Sequence, residues 1–394
     1  MTRSLTAIPR YLSSRTDMHI TRITVSGFKN LKEIDLVPGR DFNIIYGQNA
    51  QGKTNLLEAI WISTGCRSFR GSKEKDYLSF DEDEFDIKIQ FEDEQRTQEI
   101  SYRMVRKNMK NKLITLNGVV QKNSSGLFEN FKCIAFLPDD IELIRGTPEK
   151  RRSFVDLCYS QLKPKSMSFI RKYDQLTAQR NAVIKNIILG RDTEESLDIW
   201  DGQLAAVGSY ITFMRNQYIK RLNRYCKELY SRIAGEGEEL SVSYQSNIFS
   251  SDFEYPDAPD SSMTEVYYSR LKRSVSDDIR LGYTHTGAGR DDIVLKINGL
   301  SVKEYGSQGQ QKSTALVMRL AQAQIYREEK RESPVILLDD VMGELDERRQ
   351  KFVCSIIADM QVFITTCNHR AVIAECDSIF EMHEGRIVNT GKES

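Results

Sequence analysis

Gly47-Gln48-Asn49-Ala50-Gln51-Gly52-Lys53-Thr54 constrains this chain more than any other stretch, because it fits G-x-x-x-x-G-K-[ST] in full. Residues 41–46 before it read as a strand, and residues 55–62 after it read as a helix. A strand–loop–helix setting is what a phosphate-binding loop needs. Gly47 and Gly52 let backbone N–H groups close around phosphate oxygens. The helix start, from Lys53 and Thr54 into Asn55, adds its partial positive charge. The stretch from Gly47 to Asn55 is therefore the expected cradle for ATP. Lys53 is expected on the β- and γ-phosphates, and the Thr54 hydroxyl on Mg²⁺.

A second acidic element stands far along the chain. Residues 335–338 are apolar and end in Asp339-Asp340, which reads as a buried strand presenting carboxylates at its C-terminal end. Asp339 would hold Mg²⁺, and Asp340 would orient or deprotonate the attacking water. Between these motifs, Ser307-Gln308-Gly309-Gln310 opens a helix over 313–327, offering a hydroxyl and N–H groups to an anion. Residues 133–137 read as a strand ending in Pro138-Asp139-Asp140. Its acid either faces a metal-bound phosphate or caps the next helix.

The remainder sets the architecture. Residues 19–25, 86–91, 98–105 and 112–116 alternate as strands, the last closed by Asn117-Gly118, a hairpin signal. Residues 150–234 turn helical. Trp200, Leu204, Val207, Ile211, Met214, Tyr218, Leu222, Tyr225, Leu229 and Ile233 recur at spacings of three and four, an apolar stripe for an antiparallel partner helix. Residues 246–262 are rich in Ser, Asp and Pro and read as a surface loop. The expected class is α/β, a P-loop ATPase head with a mixed β-sheet lobe and an inserted helical arm. The head is assigned to 18–145 and 281–394, and the helical lobe to 146–280. Residues 1–17 carry three arginines and no signal-like apolar core. They read as an extension, upstream or added, that lacks structure.

With 394 residues the chain exceeds one small core. Its 56 basic and 56 acidic residues balance, so affinity for nucleic acid must come from local patches. The seven cysteines are scattered, without metal-ligand spacing, as in a cytoplasmic protein with reduced thiols. No apolar run approaches the roughly 18 residues that span a bilayer, so no membrane partner is expected from a span. The basic candidates for DNA are Arg103, Arg106, Lys107, Lys110 and Lys112; Lys150, Arg151 and Arg152; and Arg270, Lys272 and Arg273. Each set also reads as a solvated charged face.

The order of these motifs resembles the ATP-binding-cassette fold. Within it the chain resembles the RecF family, bacterial recombination-mediator ATPases related to SMC heads, from about Met18 onward. The resemblance rests on residues 52–60, Gly146-Thr147-Pro148 with Arg151, Arg152 and Phe154, Arg290-Asp291-Asp292, Ser307-Gln308-Gly309-Gln310, and Leu338-Asp339-Asp340-Val341 with Glu344-Leu345-Asp346. It implies an ATP-dependent homodimer, in which Ser307 and Gly309 cover ATP on the other subunit's Lys53 and Asp346 lies across the same interface. It also implies binding to double-stranded DNA and single-strand/double-strand junctions, slow DNA-stimulated hydrolysis, and RecA loading at gaps with RecR and RecO.

The chain departs from the family pattern at several positions. Ala50 stands where Gly is common, Asp139 where Glu is usual, and Ala288-Gly289 where Pro-His is usual. Gly343 replaces a frequent Ser. Thr366 occupies the switch-His position of transporters and is expected to sense the γ-phosphate; His369 could take that part or be a plain loop histidine. A transporter ATPase subunit and a small-molecule P-loop kinase are the alternatives. Paired Asp339-Asp340, the helical insertion and the signature segment count against them.

Overall fold

The computed structural model of the chain describes residues 18–93, 96–108, 112–122, 124–235, 237–368 and 376–391. The expectations placed on residues 1–17, Lys110 and His369 lie outside the described residues.

Short apolar runs with β-branched residues need cover on both faces, and the chain supplies it with one large sheet. Its strands are β1 (His19–Phe28), β2 (Leu31–Leu36), β3 (Phe42–Tyr46), β4 (Glu84–Glu92), β5 (Thr97–Val105), β6 (Leu113–Leu116), β7 (Val119–Val120) and β8 (Cys133–Phe136), followed late in the chain by β12 (Val335–Asp339), β13 (Val362–Thr366), β14 (Ser378–His383) and β15 (Arg386–Gly391). The spatial order is β7-β6-β5-β4-β1-β2-β15-β14-β3-β13-β12-β8. The β14-β3-β13-β12-β8 run is parallel, and the β1, β2 and β4–β7 strands pair antiparallel. Asn117 (φ 52°) and Gly118 (φ 77°) both take the left-handed conformation that a two-residue hairpin turn requires. A small second sheet joins β9 (Leu240–Gln245), β10 (Asp292–Ile297) and β11 (Leu300–Ser301).

The helices are α1 (Lys53–Ile62), α2 (Glu142–Arg145), α3 (Pro148–Leu162), α4 (Ser166–Ile188), α5 (Asp198–Ile233), α6 (Ser261–Arg273), α7 (Val275–Leu281), α8 (Val302–Tyr305), α9 (Gln308–Lys330) and α10 (Glu347–Ile357). Alternation along the parallel strands sorts their side chains into two cores. Val335, Leu337, Phe363 and Ile45 face α1 and the antiparallel lobe. Ile336, Leu338, Ile364 and Ile44 face α3, α9 and the C-terminal half of α5. Helix α1 is apolar around most of its circumference and is buried accordingly.

Helix α5 runs 36 residues, about 54 Å at 1.5 Å per residue, and serves two cores. Leu204, Val207, Ile211 and Met214 pack with Tyr173 and Leu176 of α4 and Met263, Tyr267 and Leu271 of α6. Tyr218, Leu222, Leu229 and Ile233 join the core beneath the parallel sheet. The expected boundaries at 146 and 280 are thus crossed by continuous packing. The stretch 246–262 is more than surface loop: Phe249 is buried, its ring 4.5 Å from Phe253 and 5.6 Å from Tyr255, covering Tyr267.

Arg290-Asp291-Asp292 divides its labour. Asp291 is fully buried, accepting from the Asn247 N–H at 2.6 Å and from the Tyr244 hydroxyl, with Arg215 at 3.8 Å. Asp292 takes both Arg151 donors, at 2.8 and 2.9 Å, tying α3 to the small sheet. Arg215 is held by Asp156 and the Ala288 carbonyl. Buried guanidinium groups paired in this way add little net stability, but each costs several kcal/mol to break.

Lys132 is a buried charge with no such partner among the described residues. Its ammonium lies 4.6 Å from the Phe128 ring centre, there without a hydrogen bond, and burial pulls its pKa down to about 8. An unfolded lysine holds its proton to about pH 10.4, so the folded state pays for protonation below pH 8 and is relieved between pH 8 and 10. Lys132→Met should therefore stabilise the protein by about 1–3 kcal/mol at pH 7. Thermal melts should show the gain shrinking above pH 8; a gain independent of pH would refute the assignment.

Candidate functional site

Parallel neighbours end at the same edge of a sheet, so β3, β13 and β12 deliver three segments to one place. The loop after β3 carries Gly47 to Thr54. At Gly47 (φ 154°) a Cβ would sit 2.3 Å from the Met382 carbonyl oxygen, and at Gly52 (φ 112°) 2.8 Å from Leu31 Cδ2. Both positions therefore need glycine. Ala50 (φ 64°) adopts the left-handed region with a side chain. Gln51 and Asn30 hold the loop from outside: the Glu384 N–H donates to Gln51 Oε1 at 2.6 Å, and Asn30 Nδ2 to the Ala50 carbonyl at 2.9 Å.

Lys53 is buried, its ammonium donating to the Gly47 and Gln48 carbonyls at 2.7 and 2.8 Å. Thr54 Oγ1 donates to Asp339 Oδ1 at 2.8 Å across 285 residues of sequence. Thr365 Oγ1 donates to the same oxygen at 2.7 Å and accepts from the Asp340 N–H at 3.0 Å. Asn30, Asn49, Ala50, Gly52, Lys53, Thr54, Asn55, Arg70, Asp339, Asp340 and Thr365 surround a cavity of about 320 Å³. Burial raises the Asp340 carboxyl above its ordinary range against the pull of Lys53, and Asp339 and Glu344 raise it further. A hydroxyl beside a buried carboxylate is a hard oxygen donor set of the kind magnesium takes, so Thr54 and Asp339 fit the ion.

Placement separates several of the expected site residues. Thr366 does not line the cavity; it is buried, with its hydroxyl on the Asn368 carbonyl at 3.2 Å. Strand alternation turns Thr365 toward α1 and Asp339, and Thr366 to the other face. Asp139 is exposed and outside the cavity lining, whereas Asp140 is paired with Arg319 of α9. Three lining residues escaped sequence reasoning, Asn30, Arg70 and Thr365. Arg70 NH1 donates to Asn55 Oδ1 at 3.1 Å, and its loop is held by a buried network in which Glu58 accepts from Lys29 and Ser68, each at 2.5 Å. Glu58, inside a helix that is otherwise apolar on its buried faces, was the available signal.

Ser307, Gln308 and Gly309 are exposed, away from this cavity. Ser307 caps α9, accepting from the Gln310 N–H at 3.2 Å, and Gln310 Oε1 returns to the Ser307 N–H at 2.8 Å. Asp346 caps α10 in the same way, through the Arg349 N–H at 2.9 Å.

The basic candidates are placed unevenly. Arg151 is buried on Asp292 and is withdrawn as a DNA contact. Arg152 donates to the Asp291 carbonyl. Arg103 pairs with Glu84, Lys112 with Glu74, Lys150 with Glu142, and Lys272 with Asp198. Arg106 donates to the Ser79, Phe80 and Glu82 carbonyls, and Arg273 to that of Ser269. Lys107 and Arg270 are exposed.

The geometry has counterparts among known proteins. The model of the RecF/RecN/SMC N terminal domain matches residues 19–388. A DNA replication and repair protein RecF from Agathobacter rectalis is 32% identical over 373 residues, covering 94% of this chain and 99% of that protein. A solved structure of the recombination mediator protein RecF with ATP, from the RecFOR pathway, is 33% identical with a TM-score of 0.84, covering 94% of this chain and 99% of the other. The Smc head of Pyrococcus furiosus, 17% identical with a TM-score of 0.55 over 95% of this chain and 96% of its own, shares the fold.

The strain at Ala50 is testable. Ala50→Gly should raise the melting temperature slightly, by an amount corresponding to about 0.5–1 kcal/mol, because glycine adopts positive φ without a Cβ clash. A fall in melting temperature would refute the strained geometry.

Proposed function

The chain belongs to the RecF family of SMC-type ATPases, and from that premise we propose that it is an ATP-gated DNA-binding protein of recombinational repair and replication restart. One observation carries this reading: Lys53, Thr54, Asp339, Asp340 and Thr365 meet around one cavity although the chain separates them widely.

In the proposed cycle, the loop amides and Lys53 bind the triphosphate, Lys53 leaving the Gly47 and Gln48 carbonyls for phosphate oxygens. Thr54 and Asp339 would hold Mg²⁺, which supplies charge neutralisation for the phosphates. Asp340, raised toward the working pH, takes the proton of the attacking water. Thr365 keeps the Asp339 carboxylate turned toward Thr54 and holds the Asp340 backbone.

Ser307 and Gly309 stand exposed at the start of α9, where the helix N-terminus would cover the γ-phosphate of a second subunit, and Asp346 would lie across the same interface. Nucleotide state is thereby coupled to dimer state, since γ-phosphate contacts reward only the closed pair and hydrolysis releases it. DNA would be held through phosphates by the accessible basic side chains, Lys107 and Arg270 among them, with slow, DNA-stimulated turnover. Cooperation with RecR and RecO in loading RecA, in the cytoplasm, follows from the family. Among the described residues no helix is long and apolar enough to cross a membrane.

Light scattering with ATP–Mg²⁺, with and without gapped duplex, tests the reading: ATP-dependent dimers that retain DNA are expected, and a monomer in every state would overturn it. Asp340→Asn should keep the fold, because asparagine accepts the φ of 54° found there. It should lower hydrolysis by roughly 10²-fold or more while dimers accumulate. Because the Asp340 carboxyl is raised, the acid limb of the wild-type rate profile should lie above the ordinary aspartate range. A rate unchanged down to pH 4 would exclude Asp340 as the base.

A further inference from the structure

Arg290 is the member of Arg290-Asp291-Asp292 that packing leaves at the surface, where among the described residues it donates only a long 3.4 Å hydrogen bond, to the Thr284 carbonyl. Its two neighbours are committed to Arg215, Tyr244 and Arg151, while Arg290 is exposed and, among the described residues, lies within ion-pair distance of no carboxylate. Its guanidinium instead stacks 4.9 Å from the ring centre of Tyr283, which is 40% exposed. Beside this pair, between α4 and the loop after α7, lies a cavity of about 200 Å³. Asp174, Thr177, Asn181, Thr286 and Arg290 line it. Thr177 Oγ1 is buried there without a hydrogen-bond partner, an orphan that a ligand would satisfy. Apolar Ile188 and Leu281, 52% and 42% exposed, flank Tyr283, with Ile188 Cδ1 4.0 Å from the Cβ position of Gly282.

We propose that this end of the helical lobe is a single-strand reader, in which Tyr283 stacks one unpaired base, Arg290 engages the adjoining phosphate, and the cavity takes the edge of the next base. The site rests on the DNA-binding reading above and adds to it the place where a single strand is read. Size argues for a base: the volume lies below the roughly 300–1,000 Å³ of pockets for larger ligands. Chemistry argues the same way. Asn181 Oδ1 is taken by Thr284 and the Thr286 hydroxyl by Ser274, which leaves the Thr177 hydroxyl, the Asn181 Nδ2 and the Asp174 carboxylate to match the donors and acceptors of a base edge, and an exposed aromatic with an arginine is the usual platform for unstacked bases. Duplex DNA keeps its bases paired and stacked, so it cannot use the cavity.

The test is fluorescence anisotropy of the full chain with ATP–Mg²⁺, using a labelled oligothymidylate of about 20 nucleotides and a blunt duplex of the same length, at one salt concentration. Tyr283→Ala and Arg290→Ala should each weaken single-strand binding roughly tenfold and leave duplex binding within about twofold, since stacking one base on an aromatic accounts for a change of that order. Tyr283→Phe should restore single-strand binding, and ATP-dependent dimerisation should be unchanged in all three. Equal loss on both DNAs, or no loss on the single strand while the duplex still binds, would overturn the site alone. Absence of wild-type binding to either DNA would overturn the DNA-binding reading and the site with it.

Discussion

One buried carboxylate oxygen joins the two halves of this chain. Asp339 Oδ1 accepts from Thr54 at the start of α1 and from Thr365 at the end of β13, so three parallel strand ends converge on a single acceptor. The contact needs β13 to lie between β3 and β12, an order set late in the chain, after more than 300 residues have been placed. A carboxylate costs free energy when taken out of water unless it is hydrogen-bonded. Here two hydroxyls make the bonds, and the same oxygens are the natural ligands of a cation. The need to satisfy a buried charge and the need to hold a metal are met by one arrangement.

Paired charge orders the head, the helical lobe and the seam between them as much as apolar packing does. Asp140, at the end of β8, takes two donors from Arg319 of α9, whose guanidinium also lies 5.0 Å from the Phe154 ring centre. Arg151 and Asp292 tie α3 to the small sheet, and Arg180 is fully buried between Asp201 and Asp278. Such pairs define one register because any displacement leaves a charge without its partner.

Much of the site was legible locally. Gly47, Gly52, Lys53 and Thr54 are required by the geometry of backbone closing around phosphate, and four apolar residues before Asp339 announce a buried strand. The hairpin at Asn117-Gly118 and the stripe from Leu204 to Ile233 were readable for the same reason: turn chemistry and helical periodicity are properties of neighbouring residues. Thr366 shows where this fails. A strand presents alternate residues to opposite faces, and choosing the face requires knowing what covers each one. The cover came from α1 on one side and α9 on the other. The partners of the basic residues were not legible either, because Arg151 and Lys272 met carboxylates distant in sequence, at Asp292 and Asp198.

The sequence by itself determined the chemistry available to this protein: a phosphate-binding loop, a strand-borne pair of carboxylates, a capped signature helix, and the α/β class that holds them. Those are short-range patterns, each encoded within a turn or a strand. Only the tertiary structure decided which groups meet. It brought Asn30 and Arg70 to the cavity beside Lys53, turned Thr365 rather than Thr366 toward Asp339, consumed Asp291 and Asp292 in the interior, and left Arg290 beside Tyr283 at the surface. Burial and pairing depend on residues tens to hundreds of positions away, and that is why no local pattern could announce them.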